Sequence, residues 1–324
     1  MKITIFVPVM TQRKMKRLAI LAAAALALLL VCSVRVTGPM LRMMMAHADR
    51  ISTEPAYADS CEKRIGLPYV EGGSPEQVLD IYYADKSRRK DAVLIDIHGG
   101  FYIAGKRQNN RPFASVFLKE GFDVVLVEYR LNDGKRDVQD ELSDCAKALD
   151  YLAGNAASLG LNRDAMFLTG DSAGGHLALY LAEGAQDASL PVRPGLFVPK
   201  GLLLNCPAYD FASFADMEIF TKGARKLFIG PRYKDEGWRK SVSPRTYLGS
   251  YTGPLFVSTS KKDFIRSQSL LLKEDCEAAG RPLEFTDIQS DGKKAGHVHN
   301  VISPDIPESR EVNSRMVEFM DRLL

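Results

Sequence analysis

"FLTGDSAGGHLALYLA", residues 167–182, is the stretch whose reading decides the fold. A strand-like apolar run ends in Gly170-Asp171-Ser172-Ala173-Gly174, and a helix-like run begins at once. A serine set between glycines at such a corner is either an exposed nucleophile or a helix cap. A nucleophile needs a sharp turn that lifts its hydroxyl clear of the sheet. The flanking positions must then be glycine, because side chains there would strike the neighbouring strand and helix. The Ala173 N–H and the positive end of the helix would favour negative charge near the serine oxygen.

Strands and helices alternate outward from this corner. Strands are expected at 77–84, 91–99, 122–130, 165–170, 201–206, 254–260 and 283–288, and helices at 137–160, 172–183, 268–280 and the C-terminus. Dense apolar runs such as "AVLIDI" and "FDVVLVEY" have the character of strands buried on both faces. The pattern predicts an α/β fold, a mostly parallel central sheet covered by helices on both faces. Residues 35–75, broken by Pro and Gly, read as an entry segment of little regular structure. Ligands of such sheets bind beyond the carboxyl ends of the strands, so function is sought just after each one.

After "VLIDI" comes His98-Gly99-Gly100-Phe101. Consecutive glycines let backbone N–H groups point into space, where they can hold a developing oxyanion; the alternative is a simple turn beside a packed histidine. A serine hydroxyl needs a base, and the base needs an orienting acid. Asp263 follows the strand at 254–260, and His297 and His299 follow the strand at 283–288. The order Ser, Asp, His suits this type of sheet. His297, directly after Gly296 in the loop, is favoured over His299. Asp263 is favoured over Asp287, which lies at the end of its strand, and over Asp291, which is too close to the histidine loop.

Together these segments resemble the α/β-hydrolases, and among them the hormone-sensitive-lipase-like bacterial esterases. "HGGFYIAG" is similar to that family's oxyanion segment, "GDSAGGHLAL" to its nucleophile elbow, and "GHVHNV" to its histidine loop. The similarity runs from about residue 65 to 322. It implies Ser172 as nucleophile, Asp263 as acid, His297 as base, and Gly99, Gly100 and Ala173 as oxyanion donors. His98, His176 and Asp171 would be structural. Phe101 stands where the family has a third glycine, which puts a ring beside the acyl or alcohol pocket. Residues 207–247, with the single tryptophan Trp238, are the expected cap insertion. The activity implied is hydrolysis of short-acyl or acetylated carbohydrate esters, with neither metal nor cofactor. A peptidase or amidase, a lipase, and a non-catalytic binding protein on the same fold are the alternatives.

Composition sets the remaining bounds. The chain has 324 residues, 46% hydrophobic and 26% charged, with a net charge of +3. That is globular composition with no basic, aromatic-laced surface for nucleic acid. A small-molecule substrate is the expected partner, and oligomeric state is not readable. The N-terminus differs: Arg13, Lys14, Lys16 and Arg17 precede the uncharged run 18–34. A basic flank before an apolar run is the grammar of a signal peptide or membrane anchor. Residues 1–48 are therefore assigned to a leader and linker, and 49–324 to the catalytic domain. Export is expected, with membrane contact only through an uncleaved leader. Beyond Cys32, the cysteines Cys61, Cys145, Cys206 and Cys276 match no metal pattern, and either disulfides or buried thiols fit them.

Overall fold

A computed structural model describes residues 57–214 and 222–324. The leader at 1–48 and the boundary after it lie outside the described residues. Among those described, no helix is long and apolar enough to cross a membrane.

The centre is one eight-stranded sheet: β1 (Lys63–Pro68), β2 (Val78–Tyr82), β3 (Val93–Ile97), β4 (Asp123–Val127), β5 (Met166–Asp171), β6 (Leu202–Asn205), β7 (Leu255–Ser260) and β8 (Glu284–Ile288). Its spatial order is β1-β2-β4-β3-β5-β6-β7-β8. The first two pairings, β1 with β2 and β2 with β4, are antiparallel, and all others are parallel. The expected mostly parallel sheet is there. β1 falls in the segment read as having little structure. It is an edge strand whose side chains are mostly exposed, so it lacks the apolar run or alternation that marks a strand in sequence.

Successive side chains leave opposite faces of a strand, so each inner strand feeds two cores. Val93, Ile95 and Ile97 of β3 pack with the helices Val138–Leu159 and Ala173–Gln186 on one face. Leu94 of β3, with Val124 and Leu126 of β4, packs with Phe113 and Phe117 of helix Arg111–Lys119 on the other face. Met316 and Phe319 of helix Pro307–Asp321 join that second core. Sequence reading missed helix Arg111–Lys119, a short segment with Pro112 in its first turn.

Between β6 and β7 the chain leaves the sheet and forms the short helices Phe211–Phe214, Lys222–Ile229 and Glu236–Ser241, then a 3-10 turn at Pro244–Tyr247. This excursion is tied to the body by polar contacts. Asn132 Nδ2 donates to the Leu227 carbonyl at 2.8 Å. Arg232 Nε donates to Asp137 Oδ2 at 2.8 Å. Phe211 sits edge-on to Trp238, with centroids 6.1 Å apart. Cys61, Cys145, Cys206 and Cys276 are all free thiols, so no disulfide braces these regions.

Asp137 also caps helix Val138–Leu159. Its carboxylate accepts the Gln139 N–H at 3.0 Å, and Asp140 Oδ2 accepts the Asp137 N–H at 3.0 Å. At the other end Gly160 takes the left-handed conformation that stops the helix. Asp137→Ala is expected to cost about 1–2 kcal/mol through the lost cap. Urea unfolding should show the midpoint falling with an unchanged slope.

Candidate active site

Ser172 ends the turn from β5 into helix Ala173–Gln186, with φ 53° and ψ −116°. Its side chain makes no capping hydrogen bond, which answers the question its sequence position raises. The turn is held through its backbone. Ser172 N–H donates to the Asn205 carbonyl at 2.9 Å, and Ala208 N–H donates to the Ser172 carbonyl at 3.1 Å. The glycines are sterically required: a Cβ on Gly174 would run into the Ile97 carbonyl, and one on Gly170 into the Gly174 carbonyl. The serine itself is only 7% exposed.

Asp263 follows β7, and His297 lies in the loop after β8. They meet directly: His297 Nδ1–H donates to Asp263 Oδ1 at 2.6 Å. Asp263 is also held by Thr259, whose hydroxyl donates to Oδ2 at 2.8 Å, and by Ile265 N–H, which donates to Oδ1 at 3.0 Å. Burial works to raise its pKa, but the His297 contact and these other donors outweigh it and hold the carboxyl below its ordinary range. Asp263 is thus an anion held against Nδ1 of the imidazole, with Nε2 on the far side of the ring. Nε2 is buried and has no hydrogen-bond partner among the described residues. Ser172 follows β5, three strands from β8 in the sheet, and does not hydrogen-bond that nitrogen; such contacts often tighten only once substrate is bound.

The rival residues face elsewhere. His299 Nδ1 is 2.9 Å from Ser309 Oγ, against the C-terminal helix. Asp287 pairs with Arg266, and Asp291 with Lys261. A buried amide network absent from the sequence reading holds the histidine loop on the sheet. Asn300 Nδ2 donates to Asn205 Oδ1 at 2.7 Å, and Asn313 Nδ2 donates to the Asn300 carbonyl at 3.0 Å. Unlike a motif, its members lie too far apart in the chain to announce one another.

The Gly99-Gly100 turn needs one correction. Gly99 was expected to donate to an oxyanion, but its N–H is already given to Asp171 Oδ1 at 3.0 Å. Gly100 N–H makes no backbone hydrogen bond among the described residues. Ala173 N–H, first in its helix, has no intrahelical acceptor. Gly100 has φ 134°, and a Cβ there would strike the Ala104 carbonyl, so this position demands glycine. Phe101 and Tyr102 follow with φ 55° and 67°, an uncommon run for residues with side chains.

Buried histidines support this turn, as the resemblance implies. His176 Nε2–H donates to the Val242 carbonyl at 2.7 Å, and its Nδ1 accepts the Tyr102 hydroxyl at 3.0 Å. Burial pushes its pKa down to about 4, so it stays neutral and joins the turn to the inserted helices. His98 is the opposite case. Burial disfavours its charge, but Glu128, whose Oε1 is 3.3 Å from Nε2, outweighs that and holds the imidazole above its usual value.

Aromatic rings surround the base. Phe264 is 45% exposed and its ring lies 4.3 Å from that of His297. Phe101 stacks on Phe264 at 5.6 Å and reaches Phe228 of the inserted segment at 5.4 Å. Phe264 went unremarked in sequence because a lone phenylalanine after an aspartate has no distinguishing pattern.

Beneath the elbow lies a buried acid pair. Asn110 Nδ2 donates to Asp96 Oδ2 at 2.8 Å and to Asp171 Oδ1 at 2.9 Å. Burial, reinforced by the Asp171 charge, pushes Asp96 up to about 8. Burial likewise raises Asp171.

These features find counterparts among known proteins. Residues 79–275 match the family model described as BD-FAE. Esterase LipQ of Mycobacterium tuberculosis is 30% identical over 207 residues, covering 61% of this chain and 48% of that protein, so the chain spans about half the length of that relative. Carboxylesterase NlhH of the same species is 26% identical over 254 residues, covering 75% of this chain and 77% of NlhH. Among solved structures, esterase B of Lactobacillus rhamnosis superposes with a TM-score of 0.77 at 26% identity, over 87% of this chain and 93% of that one.

The acid pair generates a prediction. A carboxyl whose folded pKa is raised keeps its proton in the native state after the unfolded chain has lost it. Its contribution to stability is complete below the ordinary carboxyl pKa near 4 and is lost as pH rises toward about 8. Asp96→Asn, which cannot ionise, is expected to flatten the fall in Tm across this window. Calorimetric melts at several pH values measure it, and an unchanged pH slope would contradict the assignment.

Proposed function

The chain belongs to the BD-FAE family of the α/β-hydrolase fold, and on that premise we propose that it is a carboxylic ester hydrolase working through Ser172, His297 and Asp263. The observation that carries this reading is the Asp263–His297 hydrogen bond at the same strand ends of the sheet as a serine held at a strained strand-to-helix corner. The esterase and carboxylesterase names of its relatives support the reaction class.

In this mechanism Ser172 Oγ attacks the ester carbonyl carbon as His297 Nε2 takes its proton. Asp263 keeps Nδ1 protonated and stabilises the imidazolium that forms. The N–H groups of Gly100 and Ala173 receive the oxyanion; Gly99 contributes by fixing Asp171 beneath the turn. The imidazolium then protonates the leaving alcohol as the carbon–oxygen bond breaks. Water, deprotonated by the same nitrogen, attacks the acyl-enzyme, and collapse of the second intermediate returns the carboxylic acid and free Ser172. Side chains of the protein supply every proton transfer, and the scheme routes none through a metal or cofactor.

The substrate class we infer is short-acyl esters, acetylated carbohydrates among them. The Phe101–Phe264 face beside His297 gives a small alcohol or sugar ring an apolar surface to rest on. The helices inserted between β6 and β7, through Phe228, close one side of that surface and act as the cap.

Two outcomes are expected. Ser172→Ala lowers kcat for a short acyl ester by more than about a thousandfold and abolishes labelling by a serine-directed phosphonate. Retained turnover removes Ser172 from the mechanism. On a panel of increasing acyl length that includes sugar acetates, kcat/KM falls as the chain lengthens; a preference for long chains, or for peptides, would favour the lipase or peptidase alternative. We also infer export through the leader. Mass spectrometry of the mature N-terminus then finds it beyond residue 34 if the leader is cleaved, or finds the full chain in the membrane fraction if it serves as an anchor.

A further inference from the structure

Cys206 is the first residue after β6, the strand between β5, which leads to Ser172, and β7, which leads to Asp263. Its Sγ accepts the Val298 N–H at 3.3 Å. Sγ also lies in one cluster with an Asp263 oxygen and a His297 ring nitrogen, all within 4.8 Å of one another. The side chain is buried, and Val298 is the residue directly after the base.

The backbone at both ends of this hydrogen bond is unusual. Cys206 has φ 46° and Val298 φ 47°, and neither is glycine. For β-branched Val298 this left-handed conformation is a genuine outlier. Strain of this kind persists only where surrounding contacts over-determine it. The sulfur supplies one such contact, because it captures the N–H that the left-handed turn turns inward.

We infer that Cys206 is a positioning residue that fixes His297 against Asp263 by holding the Val298 turn. This rests on the reading of Asp263 and His297 as acid and base. The thiol is not a nucleophile here. Burial, aided by the Asp263 charge, pushes its pKa well up, so it remains a neutral S–H. The sulfur accepts from the histidine loop and presents a polar atom within 4.8 Å of an Asp263 oxygen. A methyl or isopropyl group in its place would do neither.

The test compares Cys206→Val, which fills the space without donating or accepting, with Cys206→Ser, which restores both functions. Turnover of a short acyl ester is expressed per site titrated by a phosphonate, so unfolded protein does not count. A displacement of reacting groups by about 1 Å can cost on the order of a hundredfold. Cys206→Val is therefore expected to lower kcat by about tenfold or more with KM within about twofold, and Cys206→Ser to recover most of it. Should Cys206→Val yield no titratable enzyme, Cys206→Ala replaces it in the same comparison. Wild-type kcat per site in the Val or Ala variant overturns the inference. So does a loss confined to KM, or a Ser variant no better than Val. An active Ser172→Ala would instead defeat the reading of the triad, whatever Cys206 does.

Discussion

The structure turns on a steric constraint at the crossing of two backbones. The helix that starts at Ala173 comes so close to β3 that Gly174 cannot carry a Cβ beside the Ile97 carbonyl. That approach lets the chain reverse within Ser172 and lifts its hydroxyl above the sheet. It also brings the Ile97–Gly100 turn against the start of the helix, where the amides of Gly100 and Ala173 have no helical or strand partner. The strained corner at Ser172 and the placement of the Gly100 and Ala173 amides are thus two results of one contact, and a side chain at 174 would disturb both.

Strain gathers around that contact. Of the described non-glycine residues with positive φ, all but Asp91 lie in strand-end loops at the site: Phe101, Tyr102, Ser172, Cys206 and Val298. Each stays in place because buried partners hold it. Ser172 is fixed by Asn205 and Ala208. The loop of Val298 is held by Cys206 and by the Asn205–Asn300–Asn313 amides. Tyr102 is held by His176, which in turn grips Val242 before the 3-10 turn of the inserted segment. The glycine turn and the inserted helices are therefore coupled through one neutral buried histidine. Burial keeps that histidine uncharged.

Asp171 shows how one side chain can change the meaning of a neighbour. It sits beside the nucleophile in sequence but faces away from the reaction, accepting from Gly99 and Asn110. Gly99 is thereby removed from the oxyanion donors and becomes a strut for the turn that presents Gly100. The Asp96 carboxyl behind it keeps a proton into the neutral range because two buried carboxylates sharing one amide cannot both ionise cheaply.

The sequence by itself determined the fold class and the chain positions of Ser172, Asp263 and His297. These are local facts: the runs of "VLIDI" and "FDVVLV" state burial on both faces, glycines at 170 and 174 state a close approach, and chemistry sits just after strands because backbone geometry puts strand ends there. β1 escaped notice because an exposed edge strand carries no apolar pattern, and the helices after β6 because short elements have too few turns to show a period. The tertiary structure alone showed the hydrogen bond between His297 and Asp263, the occupation of the Gly99 N–H by Asp171, the ring of Phe264 beside His297, and the sulfur of Cys206 between Asp263 and the histidine loop. Each of these depends on which residues distant in the chain come within about 3–5 Å, the range over which hydrogen bonds and ring contacts act. Sequence order carries no record of that distance.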